Sequence, residues 1–175
     1  MEIRKLELSD QVAFEEFQAK LLNEKAAGNS FIETKKVEDF AAFVEKSKRF
    51  ETQTDNPDWS TSTNHYAFVD GSIVGRIGCR WQIEKGDLLC IGGHIGYATA
   101  PDFRQQGVMT KLLAFALEQY RQRGIKRVLI TAREDNLPSR KTIEKVGGKL
   151  ENILPLEDGH HLARYWIDLE DKHVS

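Results

Sequence analysis

The run from His94 to Leu113 changes its hydrophobic period halfway along, and that change constrains the fold more than any other feature. Ile95, Tyr97 and Thr99 alternate with smaller residues, the two-residue period of a strand. Pro101 and Asp102 end the strand, because proline cannot donate to a ladder and presets a turn. Met109, Leu112, Leu113, Ala116, Leu117 and Tyr120 then fall at steps of three and four, one face of an amphipathic helix. The unit is therefore strand, loop, helix.

The loop is Arg104, Gln105, Gln106, Gly107, leading into Val108, Met109 and Thr110. A helix start leaves its first N–H groups unpartnered and carries the positive end of the macrodipole. Gly107 has no Cβ, so an anion can approach the backbone there, and Arg104 adds charge nearby. Two readings follow from these residues: a pyrophosphate cradle, or an ordinary strand-to-helix loop that uses glycine for geometry.

Composition narrows the setting. In 175 residues, 40% are hydrophobic and 30% charged, which suits one soluble domain with a full core, residues 1–175. A net charge of -2 gives no electrostatic footprint for nucleic acid. No apolar run approaches the roughly 20 residues that span a membrane, and the start lacks the apolar stretch of a secretory signal. The expected location is the cytoplasm, with Cys79 and Cys90 as reduced thiols, although they could face each other across a hairpin. No metal-ligand spacing is visible, and the adjacent His160 and His161 read as solvated turn residues.

Before the central unit, Ile3, Leu6 and Leu8 suggest a strand and Ser9 or Asp10 a helix N-cap. Phe14, Phe17, Leu21 and Leu22 form an apolar stripe that stops before Gly28. A second helix is expected from Val37, with Phe40, Ala41 and Val44 on one face. Residues 51–62 are polar and turn-rich, with Trp59 read as a surface anchor. Three strands then meander: Thr63 to Val69, Ile73 to Trp81, and Leu88 to Thr99, joined at Asp70-Gly71 and Lys85-Gly86-Asp87. After the central helix, Arg127 to Ala132 reads as a buried strand parallel to the one before that helix. Asn136 to Val146 reads as a short helix opened by Asn136, Pro138 and Ser139, and two closing strands flank Glu157-Asp158-Gly159.

Arg104-x-x-Gly107 at a helix start, after Tyr97-Ala98-Thr99-Ala100-Pro101, resembles the acetyl-CoA loop of the GNAT acetyltransferase superfamily. Met109 stands where that loop usually has a second glycine or alanine; it could narrow the approach or turn inward as the first core residue. Asn136-x-x-Ser139 with Lys145-x-Gly147 resembles the family's next motif, which packs along the pantetheine arm. The motifs and their connections cover residues 88–150, and the order of elements agrees throughout. The resemblance implies a GNAT-like α+β fold: a mixed, twisted sheet with helices on both faces and a strand splay at the acyl-CoA site.

It further implies transfer of acetyl from acetyl-CoA, as co-substrate and without a metal, to an amine of a small molecule or peptide by direct attack in a ternary complex. Carried over by position, Tyr97, Ala98 and Thr99 offer backbone groups to pantetheine. Gln105, Gln106, Gly107, Val108, Met109 and Thr110 surround the pyrophosphate with Arg104 beside them, and Asn136 and Ser139 hold the arm. The family's tyrosine acid falls on Ile143 and its glutamate base on Thr131, neither able to serve. His94 is the candidate base, since an imidazole titrates near neutrality; the alternative is a ring hydrogen-bonded within the sheet. His65, Tyr66, Tyr97 and Tyr165 are weaker candidates, and Arg80, Trp81 and Trp166 could shape the acceptor site. A non-catalytic acyl-CoA-binding module, or a transferase with another donor or an oxygen acceptor, remains open, as does a homodimer paired through the last strands.

Overall fold

A computed structural model of the protein describes residues 1–170. Asp70-Gly71, both at positive φ, close a hairpin between β2 (Ser62–Val69) and β3 (Ser72–Arg80). β1 (Glu2–Arg4) adds to the far side of β2, and β4 (Ile95–Thr99) to the far side of β3, all antiparallel. A second antiparallel sheet has the order β5 (Arg127–Arg133), β7 (His161–Asp168), β6 (Lys149–Pro155). The helices are α1 (Gln11–Ala26), α2 (Phe40–Arg49), α3 (Val108–Gln122) and α4 (Leu137–Lys145).

Strand parity sorts the side chains into two cores. Ile77 and Cys79 of β3 and Ile95 and Tyr97 of β4, with Val128, Ile130 and Ala132 of β5, face α3 and pack on Leu112, Leu113, Ala116 and Tyr120, while a bulge beside Ala67 sends Ile73 to the opposite core and Val74 to this one. Each leucine fully removed from water there contributes about 1.5–3 kcal/mol. The opposite face packs Tyr66, Phe68 and Ala98 against Phe14, Phe17 and Leu21 of α1 and Phe40 and Val44 of α2. Asp39 caps α2 by accepting from Ala42 N–H, and the basic end Lys46, Lys48, Arg49 suits the negative dipole end.

Two expectations change. Leu88–Gly92 is not strand but a wide helical turn, so β4 begins only at Ile95. Its carbonyls are taken by side chains: Arg80 donates to Gly92 and Gly93 O (3.1 Å each), Thr131 Oγ1 to Ile91 O (2.9 Å) and Arg164 to Leu89 O (2.8 Å). Gly93, at φ +66, then turns the chain back to extended, and a Cβ there would lie 2.8 Å from Leu129 O. The second change is that β5 forms no ladder with β4. The two sheets meet through His94, whose N–H donates to Leu129 O at 2.8 Å, and part beyond it.

Trp59 lies half-exposed beside Phe50, and the two thiols are free, Cys79 buried and Cys90 exposed. Among the described residues no helix is long and apolar enough to cross a membrane, and no cluster of metal-ligating side chains occurs.

Candidate functional site

The gap between β4 and β5 has a closed end and an open end. At the closed end, Tyr120 Oη donates to both Arg80 O and His94 O at 2.9 Å, and its ring stands edge-on to His94 (5.1 Å between centroids). His94 itself is only 5% exposed, and its Nδ1 accepts from Leu129 N–H at 2.9 Å. The neutral tautomer therefore carries its proton on Nε2, and neither nitrogen keeps a free lone pair. Burial lowers the His94 pKa to about 4. The geometry gives His94 the work of a clasp between sheets, in place of the proton acceptor expected from its position.

Away from the clasp, β4 has one edge without a strand partner. Arg80 N–H donates to His94 O and Ala100 N–H to Val74 O, so even-numbered residues of β4 point their backbone groups at β3. Ala98 therefore spends its N–H and C=O in that ladder. Tyr97 and Thr99 turn theirs into the gap, although Thr99 O also accepts from Arg104 at 3.2 Å. Of the three residues expected to offer backbone to a pantetheine arm, Tyr97 and Thr99 present theirs to the gap and Ala98 does not.

The open end leads to the loop before α3. Gln105 (φ +61) and Gly107 (φ +80) both take left-handed backbone, and no atom lies within 4 Å of a Cβ built on Gly107. Gly107 serves as N-cap without a side-chain partner, so the first N–H groups of α3, at Val108, Met109 and Thr110, stay available. Met109, half-buried, packs against the α3-side core, so it turns inward. Gln106 Nε2 donates to Asp102 O at 3.1 Å. Arg104 is not a free charge in this loop, because it is paired in two-pronged fashion with Glu24 of α1, whose carboxyl it holds below the usual carboxylate range. The loop fits a polyanion through backbone N–H groups rather than through its arginine.

Across the gap stands α4. Asn136 caps it, its Oδ1 accepting from Ser139 N–H at 3.4 Å. Ser139 Oγ in turn shares a short hydrogen bond with Tyr97 Oη. That bond joins β4 to α4 over the gap. Burial raises the Tyr97 pKa, opposed by the Ser139 contact, so its proton stays on at neutral pH. Ile143, one turn further on, is fully buried in the core.

The face opposite α3 carries residues that motif reading passed over. Gly78 and Gly96 pair across β3 and β4; no atom lies within 4 Å of a Cβ built on Gly96, so β4 is bare there, whereas the Asn64 side chain covers Gly78, its Oδ1 2.6 Å from the Cβ position. Next to this floor Asn64, Tyr66 and Arg76 line a cavity of about 300 Å³ under α1. Arg133 of β5 reaches Ser30 Oγ (3.0 Å) and lies over the Phe31 ring, tying the segment after α1 to the second sheet.

The Acetyltransferase (GNAT) family model matches residues 31–148. No curated protein matches the chain at a significant level. Among solved structures, the Salmonella typhimurium acetyl transferase that modifies the N-terminal serine of the 50S ribosomal protein L7/L12 is 19% identical, with a TM-score of 0.72 over 96% of this chain and 94% of its own. The putative acetyltransferase yncA of the same organism, solved with acetyl-CoA, is 15% identical, with a TM-score of 0.66 over 99% and 96%. The microcin C7 self-immunity acetyltransferase MccE, in complex with acetyl-CoA and AMP, is 20% identical, with a TM-score of 0.67 over 96% and 93%. The match to the family model over more than half of the sequence, on a fold whose sheets part beside a glycine-opened helix, establishes that the chain belongs to the GNAT acetyltransferase family.

Proposed function

We propose that the protein is an acetyl-CoA-dependent N-acetyltransferase in which an amine attacks the acyl group directly within a ternary complex. The observation that carries this reading is the parted sheet: an unpartnered β4 edge runs from the His94 clasp to the free N–H groups of α3. The amide-rich arm of a coenzyme can pair with the Tyr97 and Thr99 backbone as a strand would, and its phosphates can meet Val108, Met109 and Thr110 N–H. Acetyl-CoA supplies a thioester already activated toward nucleophiles.

The chain's residues then have three tasks. Fixing cofactor and amine in one cleft removes much of the entropic barrier. A β4 N–H turned into the gap, that of Tyr97 or Thr99, can donate to the carbonyl oxygen as charge develops on it. The hydrogen-bonded Tyr97 and Ser139 hydroxyls, which join β4 to α4 across the gap, are the groups we assign the role of the absent α4 tyrosine. As the new C–N bond forms and the C–S bond breaks, the sulfur takes a proton from this pair, which is reprotonated from solvent before the next turnover. The nitrogen releases its own proton to solvent, since His94 has no free lone pair to receive it. One structural neighbour acts on a protein N-terminal serine, and an α-amine is accordingly the acceptor class we favour here. Its ordinary pKa, near ~8, leaves a usable neutral fraction without a strong base.

Calorimetry with acetyl-CoA and CoA, followed by a free-thiol assay over amines and peptides, tests the reading. Binding in the micromolar range with thiol release that depends on an amine is expected; binding without release from any amine would leave only an acyl-CoA-binding module. Tyr97→Phe is expected to lower kcat by about 10- to 100-fold while leaving acetyl-CoA affinity within a few-fold, the size usual for loss of a general acid. Unaltered turnover in both Tyr97→Phe and Ser139→Ala would remove the pair from the mechanism.

A further inference from the structure

The cavity under α1 is lined by three polar head groups that make no side-chain hydrogen bond among the described residues: the Asn64 amide, whose oxygen lies over Gly78, the Tyr66 hydroxyl and the Arg76 guanidinium. Tyr66 is only 3% exposed, yet its hydroxyl is left to the cavity. Burial pushes its pKa up to about 12, so it remains a donor. Arg76 is half-buried and makes no ion pair among the described residues. Strand pairing places the three together: Tyr66 lies opposite Arg76, and Asn64 is the next residue on the same face of β2. Phe17 and Leu21 supply an apolar wall. Lys35 and Lys36 outnumber Glu33 on the rim, which leaves the cavity positive.

Two of these groups can only donate or are held as donors, and the amide can present its NH₂ to the same point. These head groups open onto the cavity and are not sealed in the core, so water can hydrate them and a ligand anion can take the place of that water. A flat guanidinium fork matches a carboxylate. The position also fits the reaction. Arg76 pairs with Ala98, so it sits one strand spacing, about 5 Å, from the β4 edge that lines the gap, and on the side of the sheet opposite α3. A molecule lying over the bare backbone of Gly96, beside the Asn64 side chain, can place an amine at that edge and an anion at Arg76.

We propose that the acceptor is an amine that also carries a carboxylate, bound by Arg76, Tyr66 and Asn64. The inference rests on the acetyltransferase reading and names its acceptor. A free amino acid and a peptide with an acidic residue beside its N-terminus share this chemistry.

The experiment compares matched acceptors in the thiol-release assay with acetyl-CoA. One arm sets free amino acids against their carboxamides. The other sets C-terminally amidated tripeptides with Asp or Glu at the first or second position against the same peptides with Asn or Gln. In at least one arm the acid is expected to show a kcat/KM about tenfold or more above its amide, and the arm that does so identifies the source of the carboxylate. Arg76→Gln is expected to raise KM for that acid about tenfold, with kcat falling less than KM rises, and so to erase the preference. Tyr66→Phe, which keeps the ring in the core, is expected to raise the same KM by a few-fold. Amides that serve as well as acids in both arms, or an acid KM that Arg76→Gln does not move in a variant that still binds acetyl-CoA, would overturn the proposal. Acetyl-CoA binding with neither acids nor amides acetylated would overturn it too while sparing the cofactor site, whereas no acetyl-CoA binding at all would remove the reading beneath it.

Discussion

Gly107→Val is expected to weaken CoA and acetyl-CoA binding by roughly a hundredfold, the loss of two ordinary charge-assisted contacts. Two effects add at this position. Gly107 sits at φ +80, a backbone that a β-branched residue tolerates poorly. The space where its Cβ would project is open, so the side chain would occupy the approach to the first N–H groups of α3. The strain alone costs about 1–3 kcal/mol, which lowers the midpoint of thermal unfolding by several degrees in a chain of this size. Gly107→Asn separates the two effects, because asparagine adopts left-handed backbone more readily yet still places a side chain in the approach. Calorimetry with CoA should therefore show a large loss for both variants, with near-native stability for the asparagine one. Native affinity in Gly107→Asn would mean that phosphates do not approach the backbone here, and the cradle would be elsewhere.

How much of this was readable beforehand depended on whether the information was local. The switch of period between Thr99 and Met109 gave β4 and α3 directly, since the apolar face of α3 packs on the odd-numbered face of β4 in one core. The hairpin at Asp70-Gly71 and the Asn136 cap were likewise legible, because turn and cap chemistry is carried by one or two residues. Leu88–Gly92 misled because its apolar residues look strand-like, whereas its conformation is set by Arg80, Thr131 and Arg164 arriving from three different strands. Arg104 misled in the same way: its partner Glu24 lies 80 residues earlier. The Tyr97–Ser139 pair and the cavity at Arg76 depend on elements brought together only by tertiary packing, and no spacing in the sequence announces them.

The residue that separates local from tertiary information most sharply is His94, and its substitutions carry the second large effect. His94→Ala should cost about 3–4 kcal/mol, from the lost buried ring and from a Leu129 N–H left without an acceptor. The sheets would lose their side-chain clasp beside the cleft, so KM for acetyl-CoA is expected to rise as well. His94→Asn keeps an oxygen near the place of Nδ1 and should recover most of the stability. The pH dependence adds a sign that a mere packing role would not give. The folded state holds the His94 pKa at about 4, below the ordinary value near ~6.5 of the unfolded chain. Its contribution is therefore complete above the unfolded value, declines as pH falls toward 4 because only the unfolded chain takes up the proton, and levels off below that. The total over that window is about 3 kcal/mol. Burial lowers the His65 pKa too, so the diagnostic quantity is the difference between wild type and His94→Asn, which should lose its share of the slope between pH 6.5 and 4. If His94 were instead the base, His94→Asn would abolish turnover and flatten the acidic limb of kcat at little cost in stability. The clasp predicts the reverse: turnover within a few-fold of wild type at pH 8 and a changed stability profile in acid.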